Sequence, residues 1–341
     1  MTNRRIILAR RPEGMVDDTT TSLVDAPVPT CEEGTALIRV GLVSVDPTIR
    51  TWMNDAPGYL PPIGVGDVIR AYGAGVVVES RSDNYRVGDV VTGMTGWQEW
   101  VLATPEAPFA PVRPDLGVDL ATALGALGAT GMTAYFGVTE IGAVREGDVV
   151  VVSGAAGATG SVAGQVARAR GAAKVVGIAG GALKCAEVVE LYGFDECLDY
   201  REPSLGRRLH EACPSGVDLY FDNVGGEILD AVLANIAKRG RIVVCGAISQ
   251  YNERTRTGGL HNTSMLIVRR ARMEGFLILD YAARYPEAQA ALAQMVRDGT
   301  LVHREHLVDG LENAPAALNM LFTGANHGKT LVVVDDSVRL G

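Results

Sequence analysis

The sequence predicts an α/β fold, a doubly wound parallel sheet joined to a second, β-rich domain. Three observations carry this expectation. The run Val149–Val152 is four valines long and suits a strand buried on both faces; it leads directly into a turn containing Gly154, Gly157 and Gly160. After the turn, Val162, Ala163, Val166 and Ala167 recur at helical spacing until Gly171 stops the run. Beyond that, short strands alternate with helices of roughly 10–14 residues, as in a parallel sheet with crossover helices.

The bulk properties set the frame. The 341 residues suggest two domains, and a hydrophobic fraction of 47% supplies ample core. Mean hydropathy is +0.15. A net charge of −9 argues against nucleic acid or an anionic membrane surface as partner. No apolar run reaches the ~20 residues of a membrane span. The apolar run Ile6–Ala9 before Arg10 is too short for a signal peptide, so a cytoplasmic protein is expected. The five cysteines are scattered without a C-x-x-C pair, which indicates neither a disulfide framework nor a zinc lobe.

In chain order, Arg4–Ala9, Ala36–Val45, Gly75–Glu79, Asp89–Gly93 and Gly96–Leu102 are expected strands of the β-rich region, up to about residue 125. The proline-studded segment 46–62 reads as a long loop forming a cleft wall, with Trp52, Met53, Tyr59 and Leu60 offering apolar surface; a packed surface loop has the same features. Leu120–Val144 reads as helical, interrupted by Gly128 and Gly131. After the valine strand come strands at Lys174–Ala179, Glu196–Tyr200, Val217–Asp222 and Arg241–Cys245. The helices between them are Ala182–Leu191, Pro203–Cys213 and Gly226–Lys238. A polar loop then runs from Gly246 to about Asn262. Met273–Leu279 reads as one more strand and Arg284–Arg297 as a helix. The tail holds a helix near Ala316–Phe322, a turn at 324–328 and a strand, Thr330–Val334, that has no place in the alternation and most simply returns to the β-rich domain.

Strand, glycine turn and helix form the context that a dinucleotide-binding fingerprint requires. A helix N-terminus offers N–H groups and a partial positive charge to a pyrophosphate, and the turn must be nearly bare to let it approach. Ala155 takes the first glycine position of that fingerprint, and a helix packed tightly on a strand would also call for glycines. An NAD site places an acid ~20 residues past the glycines, on the adenosine ribose. Here Ala179-Gly-Gly-Ala182 stands instead, with Lys184 within reach. A carboxylate would repel a 2′-phosphate and a cation would accept it, so NADP(H) is favoured. The alternative for Lys184 is a solvated lysine on a first helical turn, a position that slightly disfavours cations.

With these residues in view, the chain resembles the medium-chain dehydrogenase/reductase superfamily, and within it the zinc-free branch of prostaglandin/leukotriene reductases and alkenal double-bond reductases. The resemblance spans nearly the whole chain and rests on Ala156-Gly-Ala-Thr-Gly-Ser-Val162, Gly177-Ile-Ala-Gly-Gly-Ala-Leu-Lys-Cys185, Phe221-Asp-Asn-Val-Gly-Gly226, Cys245-Gly-Ala-Ile-Ser-Gln-Tyr-Asn252, Met273-Glu-Gly-Phe-Leu-Ile-Leu-Asp-Tyr281 and Gly324-Ala-Asn-His-Gly-Lys329. It implies a GroES-like distorted β-barrel domain (1–125 with 304–341) and an inserted Rossmann domain (126–303), commonly assembled as a homodimer through the Rossmann sheets, with the ligand pocket between the domains. It further implies that Gly157, Ala158, Thr159, Gly160 and Ser161 hold the pyrophosphate of NADPH, and that Lys184 and Tyr200 take the 2′-phosphate. Asn223 would contact the ribose. Cys245, Gly246, Ala247, Ile248, Ser249 and Tyr251 would run along the nicotinamide half. Phe276, Leu277 and Ile278 would anchor the carboxamide, and Asn326 would close over the phosphates.

Zinc-dependent relatives carry Gly-His-Glu where this chain has Gly66-Asp-Val-Ile, and Cys31 precedes the strand after which their cysteine ligand sits. No metal is expected. The implied reaction is hydride transfer from NADPH to the β-carbon of a small apolar enone or enal, with a hydrogen-bond donor at the enolate oxygen. The family places the tyrosine of Ile-Ser-x-Tyr-Asn there, matched by Tyr251, whose alternative role is to cover the cofactor. Tyr59 is a candidate for substrate contact. Quinone reduction on the same scaffold, enoyl-thioester reduction and a non-catalytic NADPH-binding sensor are the competing readings; the acidic balance offers no basic approach for coenzyme A.

Overall fold

The computed structural model describes residues 2–253 and 259–338. Residues 254–258 of the expected polar loop lie outside them. The chain divides into two compact units, 1–124 with 305–341, and 125–304.

The first unit opens with β1 (Thr2–Leu8) and β2 (Thr21–Pro27), an antiparallel pair. Then follow β3 (Ala36–Ser44), the short helix α1 (Thr48–Trp52), β4 (Gly73–Ser80), β5 (Val90–Gly93), β6 (Trp100–Ala103), β7 (Ala110–Pro111) and α2 (Leu120–Leu124). β3 is buried at nearly every position, because it pairs with both β4 and β6 at the centre of its sheet. Two expectations need correction here. The strand expected at Gly96–Leu102 begins only at Trp100; Trp97 lies fully buried in the core and Gln98 makes an isolated bridge to Arg5. Segment 46–62 is not all loop, since α1 lies inside it, and Trp52 and Met53 pack into the core with Ile49, Ile63 and Trp97 rather than lining a cleft.

The second unit contains α3 (Ala129–Phe136), a π-helical turn at Gly137–Ile141, and the alternating elements β8 (Val149–Ser153), α4 (Ala158–Ala169), β9 (Lys174–Ala179), α5 (Ala182–Glu190), β10 (Glu196–Asp199), α6 (Leu205–Ala212), β11 (Val217–Asp222), α7 (Gly226–Ala234), β12 (Ile236–Val244), α8 (Ser264–Arg269), β13 (Arg272–Gly275) and α9 (Tyr285–Arg297). The six strands form one parallel sheet in the order β10-β9-β8-β11-β12-β13. The valine strand β8 is therefore central, which explains its unbroken apolar run. Gly131 does not interrupt the helix as expected. It lies inside α3, where a Cβ would stand 1.7 Å from the Ala126 carbonyl oxygen, so only glycine lets the preceding turn approach. The helix expected at Gly226–Lys238 ends at Ala234, because Ile236 already pairs with Val217 and β12 kinks through Arg239 (φ 64°) before its register with β11 resumes. The strand expected at Met273–Leu279 stops at Gly275. Phe276 and Tyr281 turn onto α3 instead, with Tyr281 stacked on Phe136 at a centroid distance of 4.6 Å.

The chain then returns to the first unit through β14 (Glu305–Asp309), α10 (Ala314–Thr323) and β15 (Lys329–Val333). β15 pairs with β14 on one side and antiparallel with β3 on the other, so the tail strand completes a seven-stranded sheet begun by the N-terminal strands. Among the described residues no helix is long and apolar enough to cross a membrane.

One buried ion pair stands out in the second unit. Arg241 on β12 meets Asp148, which immediately precedes β8, and both side chains are almost wholly buried. Removing one partner of such a pair leaves an uncompensated charge and costs about 3–5 kcal/mol. Asp148→Ala is therefore expected to lower the unfolding free energy by about that much, measured by denaturant titration. A change near zero would mean that Arg241 reaches water when its partner is removed.

Candidate active site

The site is built at the C-terminal ends of the parallel strands. The sheet order reverses between β8 and β11, and open α/β sheets bind ligands at such a switch point. β8 ends at Ser153 and α4 starts at Ala158 with Gly157 in extended conformation as its N-cap. The first intrahelical bond runs from the Ser161 N–H to the Gly157 carbonyl, so the N–H groups of Ala158, Thr159 and Gly160 precede the helix ladder. No acidic side chain occupies this first turn and no side chain caps it. A Cβ at Gly157 would meet only the Gly154 carbonyl oxygen, at 3.2 Å, whereas one at Gly160 would lie 2.3 Å from that oxygen. Gly157 is thus bare toward the open side, and Gly160 is bare because helix and strand touch. Ala155 fits the first fingerprint position because its methyl packs inward, where Gly177 leaves room for it. Ser161 is buried and its carbonyl accepts from Gln165. An anionic diphosphate fits these residues on two counts, oriented N–H donors and a backbone that side chains leave open.

A second cluster of expected cofactor residues lies at the turn after β9. Tyr200 lies against Gly180, where an added Cβ would meet its ring at about 3 Å. Lys184 on α5 is half-buried, and burial lowers its pKa; Glu187 raises it and Arg201 lowers it again. Arg201 sits over the Tyr200 ring, 5.9 Å from its centroid, and its guanidinium reaches Gly181. Two cations and a phenol therefore gather around two glycines. Sequence reasoning missed Arg201, because nothing in its local pattern distinguishes it from the other charges of the turn. Asp199 at the end of β10 is raised by burial, but the backbone N–H groups of Gly181 and Arg201 together with the Arg201 and Arg208 charges hold it below the usual carboxylate range.

At the switch point itself, sequence reasoning missed Asp222, which is fully buried. Its Oδ1 accepts the hydroxyls of Ser153 (3.1 Å) and Tyr220 (2.8 Å) and the N–H groups of Val224 and Gly225. Oδ2 is buried without a hydrogen-bond partner. Burial pushes the Asp222 carboxyl up, while those donors pull it down. Its backbone carbonyl takes the N–H groups of Cys245 and Gly246. One residue thus ties together the ends of β8, β11 and β12. Asn223 donates to the Ser153 carbonyl at 2.7 Å, Ile248 donates to Asn223, and Ser249 donates to Val224 through both N–H and hydroxyl. The expected contact residues Asn223 and Cys245–Ser249 are consequently one laced surface. The Cys245 thiol is pushed up to about 12, by burial and then by Asp222, and stays protonated at neutral pH.

The Tyr251 hydroxyl accepts the Ala247 N–H at 3.1 Å and lies over Gly246, where an added Cβ would stand 3.2 Å from it. An oxygen in that role is an acceptor toward Ala247 and a donor through its own proton. Phe276 packs on the Gly137 face of the π-helical turn, Leu277 is exposed, and the Ile278 carbonyl accepts the Tyr285 hydroxyl at 3.1 Å. In the first unit, Tyr59 is 45% exposed and its hydroxyl shares a 2.6 Å hydrogen bond with Thr48. Asn326 is buried in the 324–328 turn and donates to the Gly328 carbonyl. Among the described residues no group of three His, Cys, Asp or Glu side chains could hold a metal ion.

A parallel, doubly wound sheet with a bare glycine turn at its switch point is the architecture of a dinucleotide-binding domain. Family models agree along the chain: an N-terminal domain of oxidoreductases matches residues 4–110, and a model described as a zinc-binding dehydrogenase matches 158–294. The NADPH-dependent curcumin reductase of Escherichia coli is 38% identical over 341 residues, covering 97% of each chain. The NADP(+)-dependent 2-alkenal reductase of Nicotiana tabacum is 42% identical over 294 residues, covering 86% of this chain and 85% of the other. The crystal structure of CurA from Vibrio vulnificus in complex with NADPH superposes with a TM-score of 0.91 at 38% identity, covering 97% of this chain and 99% of that one. The chain belongs to the medium-chain dehydrogenase/reductase family, in its enone and alkenal reductase branch.

Proposed function

We propose that this protein uses NADPH to reduce the carbon–carbon double bond of small apolar α,β-unsaturated ketones and aldehydes. The observation that carries the reading is the Tyr251 phenol, fixed by the Ala247 N–H on a loop whose backbone is laced to the switch point. When bound, NADPH supplies the hydride that the β-carbon receives. The α4 N-terminus holds the diphosphate, and Lys184, Arg201 and Tyr200 hold the 2′-phosphate. The Asp222 knot keeps the Asn223 and Cys245–Ser249 loops in register, where they would hold the nicotinamide half, and the backbone of Phe276–Ile278 would hold its carboxamide. Tyr251 donates a hydrogen bond to the enolate oxygen as charge develops there, and a proton from solvent completes the reduction at the α-carbon. Tyr59 contacts the substrate, and Asn326 shields the phosphates. The reading extends to a cytoplasmic homodimer paired along β13, the outermost strand of its sheet, beside which Ile267 and Leu277 are exposed. The curcumin and 2-alkenal reductases, by their names, act on conjugated carbonyl compounds, which supports this substrate class.

The test follows NADPH oxidation with an enone, the matching saturated ketone and a simple quinone. Turnover of the enone with formation of the saturated ketone is the expected result. Turnover of the saturated ketone alone would refute the double-bond assignment, and a quinone preference with semiquinone release would move the protein to quinone reduction. Tyr251→Phe is expected to lower kcat about 100-fold while leaving NADPH affinity within about twofold, the range of a lost hydrogen-bond donor to a developing oxyanion. Unchanged turnover would remove the residue from the reaction.

A further inference from the structure

We infer that the ion pair of the buried Lys329 with the partly exposed Asp46 is the positioning device of the substrate-binding segment, a step that rests on the proposed enone reductase reading. Lys329 opens β15 and is only 3% exposed. Its Nζ lies 2.5 Å from Asp46 Oδ1 and 3.4 Å from the Val45 carbonyl oxygen. The other carboxylate oxygen of Asp46 accepts the Ser44 hydroxyl. An ammonium buried this deeply persists only with a charged partner, so the pair is an obligate one.

Its placement gives it a role. Asp46 is the second residue after β3 and begins the segment that carries Tyr59; its carbonyl accepts the Ile49 N–H and so starts α1. Thr48, two residues on, holds the Tyr59 hydroxyl at 2.6 Å, and Tyr59 meets Trp52 edge-on with ring centroids 6.2 Å apart. Tyr72 lies close enough to both Tyr59 and Asp46 for each to raise its pKa, although burial is the larger cause. On the other side of the pair, Lys329 directly follows the 324–328 turn, whose Asn326 folds onto the Gly328 carbonyl. Beside the pair, beyond the ladder of β3 and β15, the Val45 N–H donates to the Thr330 carbonyl, while the Val334 and Asp335 N–H groups donate to the Gly41 carbonyl farther along. The charge pair therefore links the start of the Tyr59 segment to the end of the Asn326 turn, and cutting it loosens both.

The variants are Lys329→Met, which removes the ammonium at similar length; Asp46→Asn, nearly isosteric; the double variant; and Lys329→Arg, which keeps a cation. In Lys329→Met, hydrogen exchange is expected to rise at the Ile49–Trp52 amides and around residues 324–328. The KM for the enone and the Kd for NADPH, read by cofactor fluorescence, should each rise about tenfold, with kcat at saturation within about twofold, as when reactants are misplaced before chemistry. The double variant should be no worse than the worse single one, since both remove the same interaction, and Lys329→Arg should recover most of the loss. Unchanged exchange, KM and Kd in folded Lys329→Met or Asp46→Asn overturns the inference, as does a loss of melting temperature alone. If the wild-type chain turns over no enone while exchange still rises in these segments, the reductase reading fails and the anchoring stands.

Discussion

Replacing Lys184 and Arg201 together by alanine is expected to raise the KM for NADPH by about 100-fold and to leave that for NADH within about twofold. The reasoning begins with an unfavourable arrangement. Two cations from separate elements meet beside the Gly180–Gly181 turn, and Lys184 is pushed down by burial and then by Arg201. Such a cluster is stabilised by an anion placed among its members. A hydrogen bond from a charged donor contributes about 1.5–3 kcal/mol, and two of them, discounted for the solvent exposure of the turn, amount to roughly two orders of magnitude in affinity. The same loss should not appear for NADH, which lacks the 2′-phosphate. Since repulsion disappears with the cations, the variant's melting temperature should hold or rise. Equal losses for both coenzymes would show that these side chains shape the turn rather than read the phosphate.

The second large effect separates two neighbouring glycines. Gly157→Ala is expected to keep stability within about 0.5 kcal/mol, the range of ordinary surface substitutions, while weakening NADPH binding at least tenfold. Its φ of −88° suits alanine, and the added methyl meets only one carbonyl oxygen at 3.2 Å. The methyl would instead stand where the diphosphate is proposed to lie. Gly160→Ala should do the reverse in stability. Its Cβ would be 2.3 Å from the Gly154 oxygen and 2.8 Å from the Gly154 carbonyl carbon, both backbone atoms that cannot swing away. Overpacking of this kind costs about 1–3 kcal/mol, and the displaced turn should bind NADPH poorly as well. Melting temperature and cofactor titration on the two variants give the split. Equal stability losses would place Gly157 in helix packing too.

The parts of the site legible in the sequence are those encoded by consecutive residues. Val149–Ser153 followed by Gly154–Gly160 states a buried strand, a bare turn and a helix start in one stretch, because each requirement acts on near neighbours in the chain. Lys184 was open to the same kind of reading, since it follows the glycines at a fixed distance from a strand end, whereas Tyr200 entered only through the family resemblance. Arg201 and Asp222 were not visible. Arg201 matters through the ring of Tyr200 beneath it and Gly181 beside it, and Asp222 through Ser153, which lies 69 residues away. Trp52 and Met53 misled for the same reason: a proline-rich polar context reads as exposed, yet α1 turns both into the core beside Trp97. The shortened helix α7 and strand β13 were decided by partners as well, Val217 in one case and Phe136 in the other.

By itself the sequence determined the alternation of strands and helices, the glycine turn at the centre of the parallel sheet, and the absence of an acid where a ribose would call for one. These follow from backbone conformation and from burial on one face or two, which local residue order dictates. The tertiary structure alone decided that Arg201 joins Lys184, that Asp222 knots three loop ends, and that Lys329 reaches Asp46 from the far end of the chain. A long-range contact depends on where two remote segments are brought by the packing of everything between them, and no local pattern carries that information.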